Sequence, residues 1–198
     1  MKADPVLGAH IERLGAYALQ VEPFDVGPGA VYTALARSIT SQQLTGKAAA
    51  TIFGRLCALG DGAPPAPDVV VAMDDTVLRA VGLSGSKARA LKDLAAHVIA
   101  GTVPTAAQLP ALDDDTIIQQ LSAVRGIGPW SVQMMLMFRL GRPDVLPVLD
   151  YGVRKGFQLV YGGDALPNAK TMTEQAKAWR PWRSMASWYL WRVVDSPG

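Results

Sequence analysis

The sequence predicts an all-α protein built from many short helices. Three observations carry that reading. Apolar residues recur at helical spacing through most of the chain, N-capping side chains precede those runs, and no alternating stretch is long enough for a core strand. Val31, Leu35 and Ile39 stand at four-residue steps, as do Ile52 and Leu56, with Ala48, Ala49, Phe53 and Leu59 beside them. The polar break Thr40-Ser41-Gln42-Gln43 separates these two helices. Helical patterns continue at about 74–81, 86–100, 114–124, 129–140, 150–161, 170–179 and 181–195, and His10 falls in an N-terminal helix.

Asp74, Ser84 or Ser86, and the Asp113-Asp114-Asp115 run sit where a side-chain oxygen can accept from the unpaired N–H groups of a helix start. Gly60, Gly82, Gly101, Gly126 and Gly141 are the matching stops. Val145-Leu146-Pro147-Val148 reads as a short extended piece, since proline cannot donate within a central strand. Gly60-Asp61-Gly62-Ala63-Pro64-Pro65-Ala66-Pro67 reads as a stiff surface connector.

Composition removes several classes. The 198 residues are 49% apolar and 18% charged, enough for a real core and unlike a disordered tail, a collagen-like fibre or a coiled coil. No apolar run reaches the roughly 18 residues of a membrane span. The start, Met1-Lys2-Ala3-Asp4-Pro5, lacks the basic-then-apolar pattern of a secretory signal. The lone Cys57 excludes an internal disulfide framework, a zinc finger and a cysteine-ligated iron–sulfur cluster. A reducing compartment fits: cytoplasm in a bacterium, nucleus in a eukaryote. A net charge of +2 permits nucleic-acid binding without arguing for it.

The most informative stretch is Leu121-Ser122-Ala123-Val124-Arg125-Gly126-Ile127-Gly128-Pro129-Trp130-Ser131-Val132, a helix, a Gly-x-Gly turn and a second helix. Pro129 suits the first turn of a helix, where its missing N–H costs nothing. Such a turn aims several unpaired backbone N–H groups outward, an arrangement that binds phosphate, with Arg125 and Arg139 as nearby cations. It is not a dinucleotide fingerprint, because a helix precedes it and not a strand. Taken alone, the turn also reads as a plain connection between helices.

In context the segment resembles the helix–hairpin–helix of the DNA glycosylase superfamily. Three further stretches, in order, resemble that family and within it the bacterial 3-methyladenine DNA glycosylase II group. They are Ile39-Thr40-Ser41-Gln42-Gln43-Leu44-Thr45-Gly46-Lys47-Ala48-Ala49 upstream, Leu146-Pro147-Val148-Leu149-Asp150-Tyr151-Gly152-Val153-Arg154-Lys155 downstream, and Arg180-Pro181-Trp182-Arg183-Ser184 followed by Trp188-Tyr189-Leu190-Trp191. Together they span nearly the whole chain.

The resemblance implies a two-lobed helical fold. One lobe covers about 29–142, with the helix–hairpin–helix at 121–140; the other pairs about 1–28 with 143–198, and Asp150 lies in the cleft between them. The resembled bacterial enzyme carries an additional N-terminal β-domain, for which this chain is too short, so a compact form is expected. The resemblance also implies an enzyme that acts on double-stranded DNA with damaged bases, excises alkylated bases (3-methyladenine and 7-methylguanine type) and leaves the strand uncut; one lesion per site needs only a monomer. A glycosylase for a deaminated or oxidised base, or a non-catalytic DNA-binding hairpin protein, are the alternatives. No cofactor is implied beyond a monovalent cation held by hairpin backbone carbonyls.

The chemistry assigns residues to roles. Breaking an N-glycosidic bond builds positive charge on the sugar, which a carboxylate can stabilise. Asp150 is the candidate, at a helix start whose dipole favours its ionised form; read by itself it is simply an N-cap, and the hairpin upstream with the matched context reverses that reading. Asp144, in a turn after Arg142-Pro143, reads as a solvated decoy. Methylated purines carry positive charge, so electron-rich rings suit their recognition; Trp130, Met134 and Trp191 are the base-pocket candidates. Trp182 and Trp188 read as core. Trp130 stands where bifunctional relatives place their Schiff-base lysine, which implies no strand cleavage. Gln43 or Leu44 is the wedge that fills the gap left by a flipped base. Arg125, Gly126, Ile127, Gly128 and Trp130 are the candidate contacts to the DNA backbone. Arg154 and Lys155 read as further backbone contacts, Lys87 and Arg89 as a solvated helix face, and Cys57 as a small core residue.

Overall fold

The computed structural model describes residues 4–25, 27 and 29–196. Among these the chain is all helix and turn, with no strand. The α-helices are α1 (Pro5–Leu14), α2 (Ala30–Ser41), α3 (Gly46–Ala58), α4 (Pro67–Ala72), α5 (Asp75–Ala80), α6 (Gly85–Ile99), α7 (Asp114–Ser122), α8 (Pro129–Phe138), α9 (Tyr151–Tyr161), α10 (Ala169–Gln175) and α11 (Arg183–Asp195). Short 3-10 turns lie at Leu109–Ala111 and Ala176–Trp179.

The expected capping residues do cap. Asp74 accepts from Thr76 N, and Asp113 from Thr116 N. Ser84, and not Ser86, caps α6 by accepting from Lys87 N. Gly82, Gly101, Gly126 and Gly141 have positive φ, as helix stops require. Gly60 does not: the left-handed residues after α3 are Asp61 and Gly62. Gly60 is needed for space instead, since a Cβ there would stand 2.5 Å from Ala63 O. The segment that follows connects α3 to α4 with Asp61, Gly62, Ala63 and Ala66 exposed, but its middle turns inward. Pro64 and Pro65 are buried, and Tyr32 donates its hydroxyl to Pro65 O at 2.9 Å.

The chain divides into two compact units, Phe24–Val132 and Met1–Pro23 with Gln133–Gly198, and the division falls inside α8. The lobe boundary expected near residue 28 falls on a position outside the described residues. In the continuous unit, Leu35, Ala36 and Ile39 of α2 are buried, as are Phe53 and Leu56 of α3 and Leu91 and Leu94 of α6. Burying a large apolar side chain contributes about 1.5–3 kcal/mol, so these stripes hold the helices in place.

In the discontinuous unit, Leu7 of α1 joins Val153, Phe157 and Val160 of α9, Trp179, and Tyr189, Leu190 and Val193 of α11 in one core. α9 and α11 pack very closely. A Cβ on Gly156 would lie 2.1 Å from Leu190 O, so only glycine permits this approach. Asp4 closes the unit: it caps α1 through Leu7 N and accepts from Tyr161 Oη, Gln175 Nε2 and Trp179 Nε1 at 2.5, 2.9 and 2.8 Å. Only 3% of Asp4 is exposed. Burial pushes its carboxyl up, and these hydrogen bonds outweigh that and hold it below its ordinary range.

Candidate active site

Asp150 is the N-cap of α9. Its Oδ1 accepts from Val153 N at 2.8 Å and from the Trp191 indole Nε1 at 2.7 Å. Trp191 comes from α11, and its ring stacks on Phe138 of α8, with centroids 5.9 Å apart. Gly152 makes room for this contact. A Cβ there would lie 2.7 Å from Trp191 Cδ1 and 3.2 Å from Asp150 Oδ1. Two candidates far apart in sequence are therefore in direct contact, through a hydrogen bond that sequence reasoning did not foresee. Phe138 was missed too; its signal was its place one helical turn beyond Met134. Leu149 and Tyr151, on either side of Asp150, are exposed.

The approach to Asp150 is fixed by the Arg180-Pro181-Trp182-Arg183-Ser184 stretch. Ser184 Oγ donates to Arg142 O at 2.6 Å and accepts from Val145 N at 2.9 Å. Arg183 grips Asp144, with Nε on Oδ1 at 2.6 Å and Nη2 on Oδ2 at 3.0 Å, and Arg180 Nη1 adds a contact at 2.8 Å. Asp144 is thus no solvated bystander. Burial pushes its carboxyl up, but its bonds to Arg183 and the charge of both arginines hold it below the ordinary value. It is a structural carboxylate, because both oxygens serve guanidinium groups. Trp182 is also corrected: it is 51% exposed at the N-cap of α11, and the fully buried indole is that of Trp179. Trp188 packs edge-on against Tyr17.

In the continuous unit, the hairpin lies between α7 and α8. Gly126 has φ 79. Not every hairpin N–H points outward as the sequence suggested. Arg125 N donates to Asp93 Oδ2 at 2.7 Å, and Ile127 N donates to Val124 O. Ile127 is buried, so it shapes the turn, while among the described residues the N–H groups of Gly126 and Gly128 find no acceptor. The Arg125 side chain is exposed, and Trp130, at the second position of α8, is 47% exposed. Met134, which belongs to the discontinuous unit, is half-buried. Trp130, Met134 and Phe138 follow at four-residue steps along α8 and share one face of that helix.

Gln43 and Leu44 form the exposed turn between α2 and α3, and Gln43 has φ 58. Gln42 turns inward, where its Nε2 donates to Gly126 O at 2.7 Å. Lys87 is not on a solvated face. Its Nζ donates to Thr40 O and Gln42 O, both at 2.7 Å, and partial burial pulls its pKa below the ordinary lysine value.

The remaining polar candidates are occupied or inert. Arg154 Nε donates to Pro167 O and Lys155 Nζ to Gln158 Oε1, so both hold the protein's own chain. Cys57 is half-buried, and burial pushes its thiol up, away from the nucleophilic thiolate. Among the described residues no group of His, Cys, Asp and Glu could hold a metal ion, and no helix is long and apolar enough to cross a membrane.

Comparison with known proteins gives a family match over most of the chain. The family model for HhH-GPD superfamily base excision DNA repair proteins matches residues 36–181. DNA-3-methyladenine glycosylase 1 of Schizosaccharomyces pombe is 35% identical over 163 residues, 82% of this chain and 72% of that protein. The solved structure of a Schizosaccharomyces pombe 3-methyladenine DNA glycosylase with abasic DNA has a TM-score of 0.77 and 31% identity, covering 99% of this chain and 98% of that one. A DNA-3-methyladenine glycosidase from Bacillus halodurans gives a TM-score of 0.85 and 33% identity, covering 98% and 87%.

Proposed function

The chain belongs to the HhH-GPD superfamily of base excision DNA repair proteins, and from that premise we propose that it is a DNA glycosylase for alkylated bases of the 3-methyladenine and 7-methylguanine type. It binds duplex DNA, flips the damaged base out, hydrolyses its N-glycosidic bond and leaves the strand uncut. The observation that carries the reading is the anchored Asp150 carboxylate, which receives both the Val153 N–H and the Trp191 indole N–H on one oxygen.

As the bond to the base stretches, positive charge grows on the sugar. A fixed carboxylate stabilises that charge without reorganising, and it can orient the water that completes hydrolysis. The α9 N-terminus and the two hydrogen bonds from Val153 N and Trp191 Nε1 hold the carboxylate in place for this. A methylated purine already carries positive charge and leaves as a neutral base, so the site needs no strong general acid. Trp130 and Trp191 offer π faces to the cationic base, and Met134 offers an adaptable thioether. With Trp130 in place of a lysine after the hairpin, no imine forms there and the strand survives.

Gln43, with Leu44 beside it, is the wedge that fills the stack when the base leaves. The Gly126 and Gly128 N–H groups and the Arg125 guanidinium hold the backbone phosphate. The hairpin's backbone carbonyls would be the ligands of a monovalent cation, which would add positive charge next to the phosphate. One lesion occupies one site, so a monomer suffices.

The test is free-base release from methylated duplex DNA, run in parallel with wild type and Asp150→Asn. Release by wild type alone, with unnicked strands, is the expected result. Equal release by both proteins removes Asp150 from the chemistry. No release by either, with salt-dependent DNA binding retained, points to another lesion or to a non-catalytic binder.

A further inference from the structure

The turn between α2 and α3 is exposed, yet it is tied down at three points. The last carbonyls of α2 lack intrahelical partners and carry the negative end of the helix dipole. The Lys87 ammonium fills that place by donating to Thr40 O and Gln42 O. Lys87 reaches it from the first turn of α6, whose start Ser84 fixes. The third tie is the bond from Gln42 Nε2 to Gly126 O, in the hairpin. Gln43 follows at once with φ 58. A non-glycine residue persists in that left-handed region only where its surroundings over-determine it. Here those surroundings are the bonds on either side of Gln42.

We propose that Lys87 is a positioning residue for base flipping: it presets the Gln43-Leu44 turn, and Gln42 couples that turn to the phosphate-binding hairpin. The inference rests on Gln43 and Leu44 being the wedge. Its physical content is preorganisation. The conformational freedom of the turn is given up when the protein folds, not when it meets DNA. Without the clamp, the turn must order during flipping. The flipped population then falls, while chemistry on a base already flipped does not change. A direct phosphate contact is the rival role for Lys87, and the two differ in salt dependence. Removing a phosphate contact lowers the slope of log affinity against log salt by about one, whereas removing a clamp leaves it unchanged.

Flipping is measured in an Asp150→Asn background, with 2-aminopurine beside a 7-methylguanine in a duplex, so that unstacking gives a signal and no base is released. Adding Lys87→Met is expected to lower the flipped population about tenfold, with the salt slope on undamaged DNA unchanged. Lys87→Arg, which can still donate to both carbonyls, restores most of the signal. Gln42→Leu breaks only the tie to Gly126 and moves the signal in the same direction; it decides the matter alone if Lys87→Met does not fold. An unchanged signal in both variants overturns the inference, and so does a reduced salt slope for Lys87→Met. A wild type that releases methylated bases while the Asp150→Asn parent gives no flipping signal overturns the wedge, and the clamp with it. A wild type that releases no methylated base is a separate failure, that of the functional reading.

Discussion

The Trp191 indole N–H donates to Asp150 Oδ1 at 2.7 Å, and the ring that carries it stacks on Phe138. Trp191 is therefore tied to the Asp150 carboxylate as well as offering an aromatic face. Trp191→Phe keeps a ring against Phe138 and removes only the donor. A hydrogen bond to a charged group contributes about 1.5–3 kcal/mol, so kcat should fall about 10- to 100-fold with little change in KM. Single-turnover excision under saturating enzyme measures this.

Gly152→Ala reaches the same bond from the other side, because its Cβ would meet Trp191 Cδ1 at 2.7 Å and Nε1 at 3.0 Å. It should lower kcat in the same way. The double variant with Trp191→Phe should lose little more than either single one, since both break one interaction. Full additivity in a double-mutant cycle would mean the two residues act independently.

Trp130 cannot form an imine. Borohydride added during turnover on methylated DNA should therefore trap no covalent protein–DNA adduct, and strands should stay intact until alkali is added. A trapped adduct would reveal a lysine acting elsewhere in the chain.

Arg125 is the exposed cation of the hairpin. Arg125→Ala should weaken binding to damaged and undamaged duplexes alike and reduce the salt slope by about one phosphate contact. Fluorescence anisotropy over a salt series measures both quantities.

Asp4→Ala strips the partner from three side-chain donors and should destabilise the fold by about 3 kcal/mol at neutral pH. The folded-state pKa of Asp4 lies below its unfolded value near 3.8. Its contribution is thus complete above that value and is lost as pH falls through the folded pKa. Urea titrations should show a constant gap between wild type and variant from about pH 5 to 8, closing in stronger acid.

The sequence made the helices legible because their apolar stripes and caps act locally. It hid α4, where Val69, Val70 and Val71 run together with no helical period after a proline-rich stretch. Asp150 could be placed by its motif, but its bond to Trp191 joins positions 41 residues apart and leaves no local trace. Asp144 was misread for the same reason: its turn looks solvated until Arg183 and Arg180 arrive from the far end of the chain. Lys87 carried no signal beyond its charge, since a clamp on backbone carbonyls depends on where α2 ends relative to α6.

The discontinuous unit bears on the order in which the molecule can form. Residues 24–132 make a contiguous body whose contacts are all present once α7 and the hairpin have been synthesised. The partners that Asp4 needs, Tyr161, Gln175 and Trp179, come much later. In a growing chain Asp4 therefore lacks these three side-chain partners through most of synthesis, while the hairpin and the α2–α3 turn can already be in place. Closing so long a loop is slow and comes late. The unit that carries the hairpin is thus expected to mature before the unit that holds Asp150.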